Sequence, residues 1–172
     1  MQGKNDRDTG ERLQRFHSGK LGWIEFRPEQ VIEFVEGLLG FPDLRRYVLV
    51  DHRKGVFMWL QSLEDPSLAF LVVDPWVFFP DYSPEIPDED VEALELKEPY
   101  NFSLFCLVTV PSDPRKMTVN LRGPVVVNLN NRRAKQVVVT NPEYPIRQPV
   151  FLGEEGEQEG SREAAPGGTG GK

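Results

Sequence analysis

The chain has 172 residues, of which 39% are hydrophobic, and it carries a net charge of −7 and a single cysteine. This length suits one domain rather than two, and one cysteine excludes an internal disulfide. The N-terminus lacks the apolar segment of a signal peptide, and no apolar stretch is long enough to span a membrane. The sequence therefore favours a cytoplasmic protein that does not enter a membrane.

The two ends of the chain are poor in hydrophobic residues. Residues 1–20 contain only three large ones, and residues 153–172, which are acidic and rich in glycine, contain none. Segments with so little apolar area cannot offset the entropy lost on folding. We therefore predict a disordered N-terminal extension over residues 1–19, a folded domain over residues 20–152 and a disordered tail over residues 153–172.

Short apolar segments recur along the predicted domain, with turn signals between them. Nine of them read as strands or strand-like units, over residues 21–26, 31–35, 47–50, 56–62, 68–73, 102–110, 117–121, 125–129 and 134–140. Their spacing of roughly ten residues is typical of an all-β domain. The segment over residues 102–110 is apolar at almost every position, so we expect it to be central and covered on both faces.

This pattern predicts an all-β fold, a compact antiparallel β-barrel-like single domain, with a tight sandwich as the alternative. A closed barrel would have no exposed strand edges, which matters for a chain rich in valine and phenylalanine. Asp65-Pro66 predicts a tight turn between two strands, because aspartate can bond its own backbone and proline presets φ. Asp74-Pro75 then interrupts the apolar run, and an aromatic patch follows over residues 76–79.

Residues 80–100 contain the one short helix that the sequence predicts. Pro87 can open a helix, and Asp88 and Glu89 suit its positive end. Val91 and Leu94 lie three residues apart, as they would on one face of about two helical turns.

Residues that carry common enzyme chemistry are scarce. His17 lies in the predicted extension, His52 in a charged loop, and Cys106 in a continuous apolar run where a buried small side chain is expected. No cluster has metal-ligand spacing, and no nucleophile or nucleotide-binding motif is present. We therefore predict no enzyme activity, no cofactor and no metal.

Charge is distributed unevenly along the chain. Residues 81–98, the acidic segment, carry eight acids against one lysine: Asp81, Glu85, Asp88, Glu89, Asp90, Glu92, Glu95 and Glu98. Residues 114–142, the basic segment, carry six bases and no acid: Arg115, Lys116, Arg122, Arg132, Arg133 and Lys135. Opposite charges on one domain suggest charged partners, although a surface that only keeps the protein soluble has the same composition.

RNA binding is an alternative that the basic segment raises. Arg132 and Arg133 could contact phosphates, and small β-barrels do bind single strands. Aromatic residues for base stacking are absent from the basic segment, however, and the net negative charge opposes a polyanion. We expect no direct nucleic-acid contact.

Several motifs follow one another in a fixed order along the predicted domain: GLLGFP at residues 37–42, LQS at 60–62 with Asp65-Pro66, LAF at 68–70, FFPDY at 78–82, TVNL at 118–121, PVVVN at 124–128 and AKQV at 134–137. Together these motifs make the chain resemble the flagellar assembly factor FliW family over residues 20–151. Gly123, where the family usually has alanine, and the large Trp59 and Trp76 depart from the pattern.

The resemblance implies a non-enzymatic regulator with a compact barrel-like fold. Family members bind the carbon storage regulator CsrA, a small RNA-binding translational repressor, and flagellin, the filament subunit. Flagellin occupies the protein until it is exported, and the freed protein then captures CsrA and relieves repression of flagellin translation. A flagellin-specific export chaperone that does not bind CsrA is the alternative. We expect a monomer when no partner is bound.

Seven residues are the candidate contacts for such partners: Phe78, Phe79 and Tyr82 as apolar anchors, and Asp81, Glu85, Asp88 and Glu89 as acids that attract a basic surface. Ordinary core packing for the aromatics and a solvated turn for the acids are the competing interpretations. A second group is expected to specify the fold: Gly40, Phe41, Pro42, Asp65, Pro66, Asn120, Pro124 and Asn128.

Overall fold

The computed structural model describes residues 12–52 and 55–150. The disorder predicted for residues 1–11 and 153–172, and the domain end predicted at residue 152, lie outside the described residues.

The described residues form eleven strands and two short α-helices. The strands are β1 (Gln14–Ser18), β2 (Gly22–Phe26), β3 (Ile32–Phe34), β4 (Arg46–Asp51), β5 (Phe57–Ser62), β6 (Ala69–Val73), β7 (Phe102–Thr109), β8 (Thr118–Val119), β9 (Val125–Asn128), β10 (Arg133–Gln136) and β11 (Gln148–Pro149). The helices are α1 (Pro75–Phe78) and α2 (Asp88–Ala93), and two single 3-10 turns cover Pro28–Gln30 and Pro114–Lys116.

Seven strands close into a barrel, as the sequence predicts. Their order is β7-β6-β5-β4-β3-β10-β9, and β9 pairs back onto β7. The pairings are antiparallel except that between β3 and β10, which is parallel and joins Glu33 to Arg133 and Phe34 to Ala134. This parallel pair departs from the predicted antiparallel barrel, because it joins strands about a hundred residues apart rather than the arms of a hairpin.

Strand β7 is the centre of the sheet, as its apolar sequence predicts. Its first half pairs with β9 from Phe102 to Phe105, and its second half pairs with β6 and β8. β8 in turn pairs with β11 outside the barrel. Cys106 on this strand is fully buried, as expected.

The barrel interior is a single apolar core to which every barrel strand contributes. Its buried members are Ile32, Phe34, Leu38, Tyr47, Leu60, Val72, Phe105, Val125, Val127 and Ala134. Because side chains alternate along a strand, Leu104 and Cys106 of β7 point outward into a second core. Residues 78–96 and the chain after β10 cover that second core from outside.

An N-terminal hairpin, β1–β2, packs on the outside of β4, and it corrects the predicted start of the domain. Ile24 and Phe26 form a third apolar cluster with Val48. Buried Ser18 donates a hydrogen bond to the Gln61 Oε1 atom at 2.6 Å. The prediction of disorder is therefore wrong for residues 14–19. Only one face of β1 is buried, so the strand needs few hydrophobic residues and its composition resembles that of a disordered segment.

The helix predicted from Pro87 is confirmed as α2, but the prediction of a single helix is wrong. Residues 75–78, which overlap the aromatic patch predicted over residues 76–79, form the additional helix α1. The Asp74 carboxylate accepts a hydrogen bond from the Trp76 amide at 2.9 Å, so aspartate caps this helix and Pro75 occupies its first turn.

The loop of Gly40, Phe41 and Pro42 packs against residues of the barrel core. Gly40 has φ +91°, a left-handed conformation that favours glycine. The Phe41 amide donates to the Leu38 carbonyl at 2.8 Å, and the Phe41 ring lies 5.3 Å from the Phe70 ring. Leu38 is thereby inserted into the barrel core.

Asp65 and Pro66 make the predicted turn between β5 and β6. The Asp65 carboxylate accepts from the Ser67 amide at 3.0 Å, and the Leu68 amide donates to the Asp65 carbonyl at 3.0 Å. The Pro66 carbonyl accepts from the Gly19 amide at 2.8 Å, which ties this turn to the N-terminal hairpin.

Asn120 and Pro124 lie in the turn that ends β8. The Asn120 carboxamide oxygen accepts from the amides of Arg122 and Gly123 at 3.0 and 2.8 Å. These bonds stop the strand at Val119, earlier than the predicted residue 121. The Pro124 carbonyl then accepts from the Val137 amide at 2.8 Å.

Candidate partner-binding surface

A groove opens on the outside of the barrel between α1 and the chain around β11. It has a volume of about 420 Å³, and its lining residues are Phe78, Phe79, Pro80, Asp81, Tyr82, Leu121, Glu143, Tyr144 and Gln148. Tyr82 and Leu121 are buried, while Phe78, Phe79 and Tyr144 are half-buried. Asp81 and Glu143 are exposed. The groove therefore has an aromatic wall with carboxylates at its rim.

Tyr82 fixes the inner side of the groove. Its hydroxyl donates to the Leu121 carbonyl at 2.7 Å, and its ring packs edge-on against the Tyr144 ring at 4.7 Å. Its own carbonyl accepts from the Trp76 indole at 2.8 Å. Burial raises the pKa of Tyr82 well above its ordinary value, so the hydroxyl stays protonated and serves as a donor.

The chain after β10 forms the far side of the groove and is hydrogen-bonded to the acidic segment. The Ser83 amide donates to the Tyr144 hydroxyl at 2.8 Å, and the Glu85 amide donates to the Asn141 Oδ1 atom at 2.6 Å. The Glu85 carboxylate accepts from the Thr140 hydroxyl at 3.0 Å. These bonds hold residues 82–85 in place.

Most acids of the acidic segment remain available to a partner. Within the described ranges, ion pairs reach only Asp90, which accepts from Lys135, and Glu95, which lies 3.8 Å from Arg133. Lys135 also approaches Glu36 at 3.4 Å, and its bond to Asp90 raises the pKa of Lys135 above its usual value. The segment therefore keeps a negative surface outside these two pairs.

The basic segment, in contrast, is largely occupied by contacts within the protein. Arg122 donates to the Tyr144 carbonyl at 2.8 Å, and Arg132 donates to the Gln30 carbonyl at 3.0 Å. Arg133 and Lys135 pair with acids of the acidic segment, as described above. The two residues named for RNA contact thus already have partners.

The structure brings four of the seven predicted partner contacts together. Phe78, Phe79, Asp81 and Tyr82 line the groove, whereas Glu85, Asp88 and Glu89 follow it along the chain and do not line it. Asp88 and Glu89 are exposed in the first turn of α2.

Sequence reasoning did not identify Leu121, Glu143, Tyr144 and Gln148 as part of the site. Tyr144, an aromatic residue in a proline-rich stretch, was the one available signal. Trp76 and Val77 of α1 are exposed to 38% and 49%, which adds apolar surface beside the groove.

The described residues hold no group of three or more histidine, cysteine or acidic side chains able to bind a metal. Burial raises the pKa of the Cys106 thiol to about 12, so this cysteine is not a ready nucleophile. None of the helices within the described residues combines the length and the apolar character needed to cross a membrane.

Comparisons with known proteins identify one family. The family model described as FliW protein matches residues 15–150. The chain is 44% identical over 135 residues to the flagellar assembly factor FliW of Bdellovibrio bacteriovorus, covering 78% of this chain and 77% of that protein. It is 43% identical over 127 residues to that of Symbiobacterium thermophilum, covering 73% and 92%. A crystal structure of the flagellar assembly factor FliW superposes with a TM-score of 0.74 at 30% identity, covering 80% of this chain and 97% of that chain.

Proposed function

Because the chain belongs to the FliW family of flagellar assembly factors, we propose that it is a non-enzymatic partner switch that binds CsrA and flagellin in turn. Flagellin holds the protein while filament subunits accumulate. Export of flagellin frees the protein, which then captures CsrA and relieves repression of flagellin translation. It acts in the cytoplasm and is a monomer when no partner is bound.

The observation that carries this proposal is the groove with its carboxylate rim, continued by the exposed acids of α2. An RNA-binding repressor must present basic residues that hold phosphates, and an acidic surface attracts those residues. Long-range attraction mainly raises the association rate, and it fades over about 8 Å at physiological ionic strength. Affinity comes from apolar anchors, for which Phe78, Phe79 and Tyr82 are the candidates.

Calorimetric titration with CsrA and with flagellin from the same organism tests the proposal. Saturable binding of each protein alone is the expected result. If the protein bound flagellin but not CsrA, it would be a flagellin-specific export chaperone and not a partner switch. If it bound neither protein, the proposal would be overturned.

The electrostatic part has its own test. Asp81→Lys combined with Asp88→Lys should lower the association rate with CsrA about tenfold at low salt and flatten its salt dependence. Asp43→Lys combined with Asp51→Lys is the matched control, because both residues are exposed and lie outside the acidic segment. Equal association rates for the two double variants would contradict steering by the acidic segment.

A further inference from the structure

The groove combines two features that select one kind of side chain. Phe79 and Tyr144 are half-buried lining residues, so each ring keeps accessible surface. The charged residues among the nine that line the groove are the exposed carboxylates of Asp81 and Glu143. We infer that the groove takes an arginine side chain of the protein partner, an inference that rests on the proposed function for the source of that side chain.

Arginine fits this combination better than other residues. Its planar guanidinium stacks on aromatic faces and forms paired hydrogen bonds with carboxylates. One arginine side chain can therefore contact the aromatic wall and the rim carboxylates at the same time. Lysine carries a compact, strongly hydrated charge that cannot stack in this way. A groove of about 420 Å³ has the size of a small-ligand pocket, which gives room for such a side chain.

The rim carboxylates are available for this contact. Among the described residues, neither Asp81 nor Glu143 has an ion-pair partner within 4.0 Å. The Arg122 guanidinium donates to the carbonyls of Tyr144 and Pro142 at 2.8 and 3.3 Å and not to a rim carboxylate. This arginine therefore supports the wall and leaves the rim negative.

Other occupants fit the groove less well. An apolar side chain alone would cover Asp81 and Glu143 without supplying a hydrogen-bond donor, which is unfavourable for carboxylates. An acidic peptide or a nucleic acid would be repelled by the same two groups. A basic side chain is the occupant whose charge complements the rim.

Kinetics with CsrA separate this local contact from general attraction. Asp81→Asn combined with Glu143→Gln removes two charges from the rim, and Glu92→Gln combined with Glu98→Gln removes two exposed charges of the acidic segment outside the lining. Both pairs should slow association to a similar degree. Only the rim pair should raise the dissociation rate, by about tenfold, because it alone removes short-range partners of the guanidinium. Equal dissociation rates for the two pairs would overturn the inference.

A peptide titration tests the groove without CsrA. Capped Gly-Arg-Gly is added to the full isotope-labelled chain, and the amide signal of Ser83, which donates to the Tyr144 hydroxyl, reports occupancy. Saturable shifts are expected for the arginine peptide. They should disappear when citrulline or norleucine replaces the arginine of the peptide, or when the protein carries Asp81→Asn with Glu143→Gln. They should weaken when lysine replaces the arginine. No response, or an equal response to norleucine or lysine, would overturn the inference. If CsrA does not bind the wild-type chain, the proposed function fails while this titration still decides what the groove takes.

Discussion

The Tyr82 hydroxyl donates a hydrogen bond to the Leu121 carbonyl oxygen at 2.7 Å, and through it the acidic segment is attached to the turn that follows β8. Tyr82 is only 4% exposed, and Leu121 is 3% exposed. Removing the hydroxyl would leave a buried carbonyl without this donor, while the aromatic packing with Tyr144 would remain.

Tyr82→Phe should therefore lower the free energy of unfolding by about 1 kcal/mol, the usual value of one hydrogen bond. Urea unfolding of the variant and the wild type at pH 7 measures this difference in the free energy of unfolding. Phe79→Leu is a useful comparison, because it changes the groove wall without removing a hydrogen bond. A Tyr82→Phe variant as stable as the wild type would show that this bond does not support the groove.

Asn128 holds the end of helix α2. Its side-chain amide donates to the carbonyls of Leu94 and Glu95 at 2.8 and 3.2 Å, and Glu95 has the left-handed φ of +59°. Asn128→Ala should cost about 2 kcal/mol, because it removes the short bond to the buried Leu94 carbonyl, to which Asn131 donates only at 3.5 Å, and the bond to Glu95. Asn130→Ala is the control: Asn130 is exposed and bonds Asn101 at 3.1 Å, so its loss should change stability by less than about 0.5 kcal/mol. Equal effects of the two variants in urea unfolding would refute the role given to Asn128.

Gly37 has no room for a side chain. A Cβ atom there would lie 2.3 Å from the Phe41 carbonyl oxygen and 2.6 Å from that of Pro42, and both are backbone atoms that cannot rotate away. Gly37→Ala should destabilise the protein by about 3 kcal/mol and displace Leu38 from the barrel core. Gly19→Ala, whose Cβ would lie 3.3 Å from the Pro66 carbonyl oxygen, should have a clearly smaller effect in thermal and urea unfolding.

These contacts show which parts of the structure a sequence can predict. The apolar run of residues 102–110 predicts a central strand by itself, and Pro87 with the acids after it predicts α2. The contact between Tyr82 and Tyr144 joins residues 62 positions apart, and no local pattern encodes it. Of the residues that line the groove, the sequence therefore indicated as candidate contacts only Phe78, Phe79, Asp81 and Tyr82.

Two further differences have similar causes. β1 buries Ser18 through a hydrogen bond to Gln61, so few hydrophobic residues mark it in the sequence. The parallel pairing of β3 and β10 arises only when the barrel closes. In both cases tertiary contacts decide the structure where the local sequence is weak.

The free energy of unfolding should fall at alkaline pH, because the buried thiol of Cys106 and the buried phenol of Tyr47 have raised pKa values. Burial raises the pKa of Cys106 from 9.0 to about 12, and burial with nearby Glu64 and Asp65 raises that of Tyr47 from 10.0 to about 12. Both groups keep their protons in the folded chain where the unfolded chain has lost them. Their stabilising contribution is thus complete below the unfolded pKa values and is lost as the pH rises toward 12.

Tyr47→Phe isolates one of these groups. The Tyr47 hydroxyl is buried without a hydrogen-bond partner among the described residues, so the variant should be within about 0.5 kcal/mol of the wild type at pH 7. Between pH 10 and 11.5 it should lose less stability than the wild type. Parallel pH profiles of the two proteins in urea unfolding would contradict the assignment.

The proposed partner switch requires that CsrA and flagellin exclude each other on this protein. The most direct measurement forms the complex with fluorescently labelled CsrA and then adds monomeric flagellin, following fluorescence anisotropy and the mass of the species. Full release of CsrA at saturating flagellin, with no ternary complex, is the expected result. A stable complex containing all three proteins, or CsrA retained at saturating flagellin, would contradict it.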